Sequence, residues 1–298
     1  MSVNKIFFIV NPVSGSGNGA KALETICGEL DARGIKYGYA VSEHRGHALE
    51  LTQAALDVGE KRIIAVGGDG TVREVASVLK LSGVEMGIIP VGTGNDFAKG
   101  LKLPLDVLQA LEIALEGDVV NVDAALANDA FFINVGGFGF DVNVAKYTEN
   151  YKKRLNGMLP YLMGVMRSLI RLKAIDVTIH ADDNEPFQES MLMLPVCNGT
   201  HFGGGMNIGP NANPSDGLLD VCIVKKIGRL KLLNILPKII KGTHVGLKCV
   251  HYFKAKTIYI DAPEGFDLQL DGEIMPGTPV RFKVLEGAIA MVVGGNSE

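Results

Sequence analysis

The sequence lacks a stretch that could cross a membrane as a helix, since its apolar runs are broken by charge or proline well before the roughly 18 residues a span needs. It lacks a Cys-x-x-Cys pair: Cys27, Cys197, Cys222 and Cys249 lie far apart. A zinc site is therefore not expected, and the thiols read as small apolar residues of a reduced, cytoplasmic chain. No leader is expected either, because Met1-Ser2-Val3-Asn4-Lys5 runs straight into a strand-like segment. Tandem repeats and low-complexity tracts are missing. So is the Gly-Lys-Ser/Thr ending of a Walker loop, for Lys21 stands between Ala20 and Ala22.

What is present is ample material for a core. The 298 residues are 47% hydrophobic, and that length favours two domains. The net charge of −4 is unevenly spread: residues 146–256 hold 16 Lys and Arg against 8 Asp and Glu, which leaves −12 on the remainder. This basic segment is either a contact for an anionic surface or an ordinary solvated face.

Up to about residue 125 one pattern repeats: a short apolar run, a glycine-rich polar loop, then helical spacing. Strands are expected at 5–10, 36–41, 63–66 and 86–90, with helices at 20–33, 47–58 and 71–80. This predicts an α/β domain of Rossmann-like type with a parallel sheet. Parallel topology gathers the loops around 11–19, 67–71 and 92–96 at the carboxyl edge, where ligands bind. After residue 125, short runs at 130–135, 175–180, 191–197, 218–224, 257–260 and 280–284 are separated by turn residues. Their spacing predicts an antiparallel β-sandwich. One inserted helix is expected over 156–173, with Leu159, Leu162, Met163, Met166 and Leu169 on one side and Arg154, Arg167 and Arg171 near its ends. An apolar and basic stretch at 225–241 is interrupted by Pro237. The expected division is a nucleotide-binding domain over 1–125, rejoined by 287–298, and a β-sandwich substrate domain over 126–286.

The loops carry the chemistry. Gly67-Gly68-Asp69-Gly70-Thr71 follows Ile63-Ile64-Ala65-Val66, and Gly92-Thr93-Gly94-Asn95-Asp96 follows the run ending at Val91. Backbone without side chains lets N–H groups approach a polyphosphate, and a helix starting there adds partial positive charge. An acid in such a loop repels bare phosphate, so Asp69 and Asp96 make sense with a divalent cation or its water between them and the ligand. Thr71 is suited to cap the following helix, and Thr93 and Asn95 to donate to phosphate oxygens. At the amino terminus, Gly15-Ser16-Gly17-Asn18-Gly19-Ala20 fits a loose dinucleotide fingerprint with Glu43 as a ribose ligand, a pattern that any glycine-rich loop satisfies cheaply. His44 and His201 near these loops read as single surface or packing histidines.

Together, Asn11-Pro12-x-Ser14-Gly15, Gly-Gly-Asp69-Gly-Thr, Pro90-Val-Gly-Thr-Gly-Asn-Asp96-Phe97-Ala98, Asn134-Val-Gly-Gly-Phe-Gly, Phe202-Gly-Gly-Gly-Met206, Asp216-Gly217-Leu218-Leu219-Asp220 and Asp271-Gly272-Glu273 resemble the soluble bacterial diacylglycerol kinase-like lipid kinases, related in fold to NAD kinases. The motifs run in family order over nearly the whole chain. The resemblance implies ATP contacts from Asn11, Pro12, Val13, Ser14 and Gly15, from Gly67, Gly68, Asp69, Gly70, Thr71, Val72 and Arg73, and from Thr93. It implies a magnesium-holding acidic network of Asp69, Asp96 and Asp123. It also implies Glu273 as the base that accepts the acceptor hydroxyl's proton, with Asp271 beside it, although those two residues alone read as a solvated hairpin turn. A second cation, magnesium or calcium, is implied at Asn213, Asp216 and Leu218. Two positions depart from the family: Arg73 stands where Asn is common, and Val41 stands at a nucleotide-contacting Thr, with Ser42 beside it.

The function so implied is ATP- and magnesium-dependent phosphorylation of a lipid hydroxyl, such as that of diacylglycerol. The expected setting is the cytoplasm, peripheral at the inner membrane face, with the basic segment as contact. No nucleic-acid partner is expected, and a homodimer stays open. The alternatives are an NAD kinase-like phosphotransferase and a non-catalytic nucleotide- or lipid-binding homologue.

Overall fold

The computed structural model describes residues 6–152, 159–263 and 265–295. Met1 to Lys5, Arg154 and Asn156, named above, lie outside the described residues, as do the side chains of Leu159 and Leu162. The chain forms two compact units: Met1–Ala124 with Gly203–Gly205 and Leu285–Glu298, and Ala125–Phe202 with Met206–Val284.

In the first unit the elements alternate: β1 (Ile6–Val10), α1 (Ser14–Arg33), β2 (Gly38–Val41), α2 (His47–Asp57), β3 (Arg62–Gly67), α3 (Asp69–Leu79), β4 (Glu85–Pro90), the short α4 (Asp96–Gly100) and α5 (Val107–Glu116). The strands pair in parallel in the order β2-β1-β3-β4. Helices cover such a sheet on both faces, so its strands are apolar throughout, and Ile63, Ile64, Ala65 and Val66 are all fully buried. Helix α5 is an element the loop-and-strand pattern did not predict, although its start signal is plain. Asp106 caps it by accepting from the Gln109 N–H at 3.0 Å, worth about 1 kcal/mol. Arg62 then pins the other end: its guanidinium donates to the Ala114 carbonyl at 3.0 Å and to that of Leu115, while also pairing with Glu85 at 2.6 Å. A cation there meets the negative end of the helix dipole.

The second unit is antiparallel. Strand β5 (Asp118–Ala127) leads into β6 (Ala130–Phe132), β7 (Val135–Gly139), helices α6 (Phe140–Lys152) and α7 (Leu159–Ile170), β8 (Ile175–Ala181), β9 (Phe187–Cys197), β10 (Leu219–Lys225), α8 (Arg229–Ile240), β11 (Val250–Ala255), β12 (Thr257–Asp261), β13 (Asp267–Leu270), β14 (Glu273–Pro276) and β15 (Val280–Val293). Strand β9 organises it. Its residues Phe187–Met191 pair with β8, and its later residues pair with both β7 and β10. One core fills one face, with Phe132 edge-on to Phe282 at 5.9 Å. On another face, Leu232, Ile235 and Ile239 of α8 pack with Leu192 and Val224.

Three expectations are corrected here. The run at 130–135 is not one strand but two, with a corner at Ile133 and Asn134. Helix α8 passes through Pro237, because a proline in the last turn forfeits a single intrahelical bond while the buried Ile235 and Ile239 hold both sides of it. Helix α6, on the far side of the glycine-rich β7, was not expected at all. From Leu285 onward β15 belongs to the first unit, where Ala290 and Met291 add in parallel to Glu85 and Met86 of β4.

Candidate active site

At the carboxyl edge of β1, β3 and β4 the glycine loops are packed backbone to backbone. A Cβ on Gly92 would collide with Gly68 Cα and lie 2.8 Å from Asn95 Oδ1; one on Gly68 would meet Gly92 Cα at 3.1 Å and Ser14 Oγ at 3.4 Å. A Cβ on Gly15 would overlap the Val91 carbonyl. Residues Gly15, Ser16 and Gly17 all have positive φ, of 58°, 61° and 96°, so helix α1 is interrupted at its first turn and resumes beyond them. Asn11 ties this loop to the next by donating from Nδ2 to Thr71 Oγ1 at 3.1 Å. Thr93 and Gly70 are exposed at the loop tips, and Val13 is 77% exposed. Val72 is buried in α3, beside the half-buried Arg73.

The two acids of these loops are drawn together. Asp69 opens α3 and accepts from the Phe97 N–H at 3.1 Å, so it is tied to the first turn of α4, which Asp96 opens. Burial and the charge of Asp96 raise the pKa of Asp69, against the pull of the N–H groups of Phe97, Asp96 and Asn95. Asp96 is 5% exposed. Its Oδ2 accepts from Gly204 N–H at 2.7 Å, and its buried Oδ1 has no hydrogen-bond partner among the described residues, the Lys99 ammonium standing 4.0 Å away. A Cβ on Gly94 would press on Asp69 Oδ2 at 2.8 Å, so the space beside that oxygen exists because residue 94 is glycine. Asp123, the third member of the expected network, accepts from Gly287 N–H at 2.7 Å. Among the described residues no group of three or more His, Cys, Asp or Glu is placed to hold a metal.

In the second unit, Asp271 and Gly272 form the two-residue turn between β13 and β14, with φ of 49° and 86° as that tight hairpin requires. Asp271 is far from a solvated turn former. Its Oδ1 accepts from Asn134 and Val135 at 3.0 Å each and its Oδ2 from Ile133 at 2.8 Å, the three N–H groups of the β6–β7 corner. Glu273 is the first residue of β14, paired opposite Leu270 and half-buried. The aspartate thus positions the turn that carries the glutamate.

Residues 5–127 match the diacylglycerol kinase catalytic domain family, and residues 134–293 match the YegS C-terminal NAD kinase beta sandwich-like domain. A diacylglycerol kinase of Mycobacterium tuberculosis is 30% identical over 296 residues, covering 97% of this chain and 95% of that one. The chain belongs to the diacylglycerol kinase-like lipid kinases. The crystal structure of a diacylglycerol kinase from Bacillus anthracis shares the fold with a TM-score of 0.75 at 24% identity, covering 99% and 98% of the two chains. An NAD kinase from Archaeoglobus fulgidus in complex with ATP shares it more distantly, with a TM-score of 0.52 at 15% identity over 97% and 94%. Family membership makes this a kinase fold with a β-sandwich-like second domain, and α/β with a parallel sheet in the first.

Within that family setting several residues do something other than expected. Thr71 does not cap α3, because the helix starts two residues earlier at Asp69; its hydroxyl is buried and takes the Asn11 bond instead. The Asn95 amide closes on Gly92, accepting from its N–H at 2.8 Å and donating to its carbonyl at 3.0 Å, so it shapes the loop. Val41 packs against the core of the first unit, and the buried Ser42 bonds through its N–H to Val10. His44 is not single: its ring stacks on His47 with centroids 4.7 Å apart. Sequence reasoning also gave no role to Gly204, whose N–H fixes Asp96; the quoted run Phe202-Gly-Gly-Gly-Met206 was the signal, since positive φ at Gly203, Gly204 and Gly205 can hardly be adopted by other residues.

The two implied cations fare differently. Magnesium is held by one or two carboxylates plus water and substrate phosphate, and the unbonded Asp96 Oδ1 beside the raised-pKa Asp69 suits that role. At the second implied site, Asp216 Oδ1 accepts from Leu218 N–H at 3.1 Å, and its Oδ2 lies 2.6 Å from the Lys254 ammonium.

Proposed function

We propose that the chain transfers the γ-phosphoryl group of ATP to the hydroxyl of a lipid such as diacylglycerol. The observation that carries the reading is the Asp69 and Asp96 pair at the end of two glycine loops packed too tightly for any side chain at Gly92. Phosphoryl transfer asks for positioning and charge neutralisation more than for covalent chemistry, and these loops offer both. Main-chain N–H groups of the loops around 11–15, 67–73 and 93 bind the phosphates, with Thr93 and Arg73 as side-chain donors. Asp69 and Asp96 would hold magnesium, which supplies charge neutralisation at the β- and γ-phosphates when bound.

Glu273 accepts the proton of the acceptor hydroxyl as its oxygen bonds to the γ-phosphorus and the bond to ADP breaks. The Asp271 clamp fixes the turn from which it projects. The lipid is met at a membrane surface. Helices α7 and α8 support that contact: Ile170 is 66% and Leu230 79% exposed, and Arg229 bonds to the Ile170 carbonyl at 2.8 Å, which places the two apolar residues at one seam. Arg167, Arg171, Lys173, Arg229, Lys231, Lys238 and Lys241 accompany them, while residues 150–175 and 221–260 contain no Asp or Glu. Exposed apolar groups set among cations alone fit an anionic bilayer.

Labelled γ-phosphate decides the matter. Transfer into the organic phase with mixed micelles of diacylglycerol is expected. Label appearing on NAD would replace this reading with the NAD kinase-like one, and ATP binding without transfer to either acceptor would leave a silent homologue.

A further inference from the structure

The loop at 211–218 carries the oxygens on which a second divalent cation would have to sit, and a side chain of this protein already sits there. Lys254 Nζ lies 2.6 Å from Asp216 Oδ2, 3.3 Å from Asp220 Oδ2 and 3.3 Å from the Asn211 carbonyl. Three other oxygens accept within the loop. Asp216 Oδ1 accepts from Leu218 N–H, the Asn213 carbonyl accepts from Asp216 N–H at 3.3 Å, and Asn213 Oδ1 accepts from Ser215 N–H at 3.2 Å.

Strand register places the lysine beside this loop. In the antiparallel pair of β10 and β11, Asp220 is directly opposite Lys254. Asp220 is fully buried, and a buried carboxylate needs a cationic partner or its proton. The ammonium is delivered by the chain itself, from a strand that cannot move without breaking the pairing. A divalent ion on Asp216 would stand within a few ångströms of that ammonium and repel it.

We propose that Lys254 is the resident counter-ion of the 211–218 loop and stands in place of a second divalent cation, so that this part of the fold does not depend on metal. Burial raises the pKa of Asp220, moving it toward its neutral form. Burial pulls Lys254 down, but its bond to Asp216 and the charges of Asp220 and Asp216 more than offset this and leave it raised. The inference concerns this loop alone and does not rest on the phosphoryl-transfer reading.

The test is calcium and magnesium titration calorimetry on the nucleotide-free full chain, with thermal denaturation in parallel. Wild type and Asp216→Asn are expected to give the same isotherm, any binding at Asp69 and Asp96 being common to both. Lys254→Met is expected to gain a saturable cation site and a rise in Tm of at least about 2 °C on adding the ion, reversed by EDTA. A wild-type site that Asp216→Asn removes would overturn the proposal. So would a folded Lys254→Met protein that binds no additional cation and is as stable as wild type. If that variant does not fold, the comparison of wild type with Asp216→Asn alone decides.

Discussion

Gly204 N–H donates to Asp96 Oδ2 at 2.7 Å while the other oxygen of the same buried carboxylate has no hydrogen-bond partner among the described residues. A carboxylate held from one side and open on the other is a poor contribution to stability and a good ligand. Asp69 is drawn to it through the Phe97 N–H at 3.1 Å.

The first prediction follows from Asp69. Its pKa is raised in the folded protein by burial and by Asp96. A group of that kind contributes its full stability below the ordinary carboxylate range and loses it as pH rises through the raised folded value. Asp69→Asn should therefore raise the Tm of the nucleotide-free protein at neutral pH, by a few degrees that vanish on acidification, while abolishing phosphoryl transfer. Melting curves across pH check both halves, and a variant less stable than wild type at neutral pH would contradict the argument.

Gly92→Ala places a methyl group against Gly68 Cα and should cost about 1–3 kcal/mol along with nucleotide binding. Gly70→Ala points into open space and should leave the Tm unchanged. Denaturant unfolding of the two variants side by side separates packing of the loops from clearance for a ligand.

Asp271 and Glu273 should part company under mutation. Asp271→Ala strips the acceptor from three main-chain N–H groups and is expected to cost about 2–4 kcal/mol of stability. Glu273→Gln should leave the melting curve nearly in place and lower kcat at least about 100-fold. Full turnover by the Gln variant would remove Glu273 from the chemistry.

The seam between α7 and α8 predicts salt-sensitive adsorption. Replacing both Ile170 and Leu230 with Glu should weaken sedimentation with anionic vesicles at least about tenfold, since it removes exposed apolar area and adds the charge that residues 150–175 and 221–260 exclude. Turnover on a short-chain, water-soluble diacylglycerol should be unaffected. Unchanged sedimentation would place the contact elsewhere on the molecule.

Much of this protein is legible without coordinates. Buried parallel strands must be apolar on both faces, so Ile63 to Val66 announces itself, and the glycines that follow announce a loop whose backbone a phosphate can approach. The motif order carries the family. Local patterns failed where a residue's partner is distant in the chain. The Thr71 hydroxyl suits a helix cap on its own, but the fold uses it on Asn11, 60 residues away.

What the sequence alone determined is the layering of the first unit, the change to antiparallel strands in the second, and which loops carry acids, because periodicity and glycine placement act over a few residues. What only the tertiary structure decided is which polar groups those acids meet. Asp271 reads as a turn residue until strand pairing brings it to Asn134, 137 positions earlier, and Asp216 reads as a turn residue until β11 carries Lys254 to it. Strand register fixes both meetings, and register depends on the whole sheet.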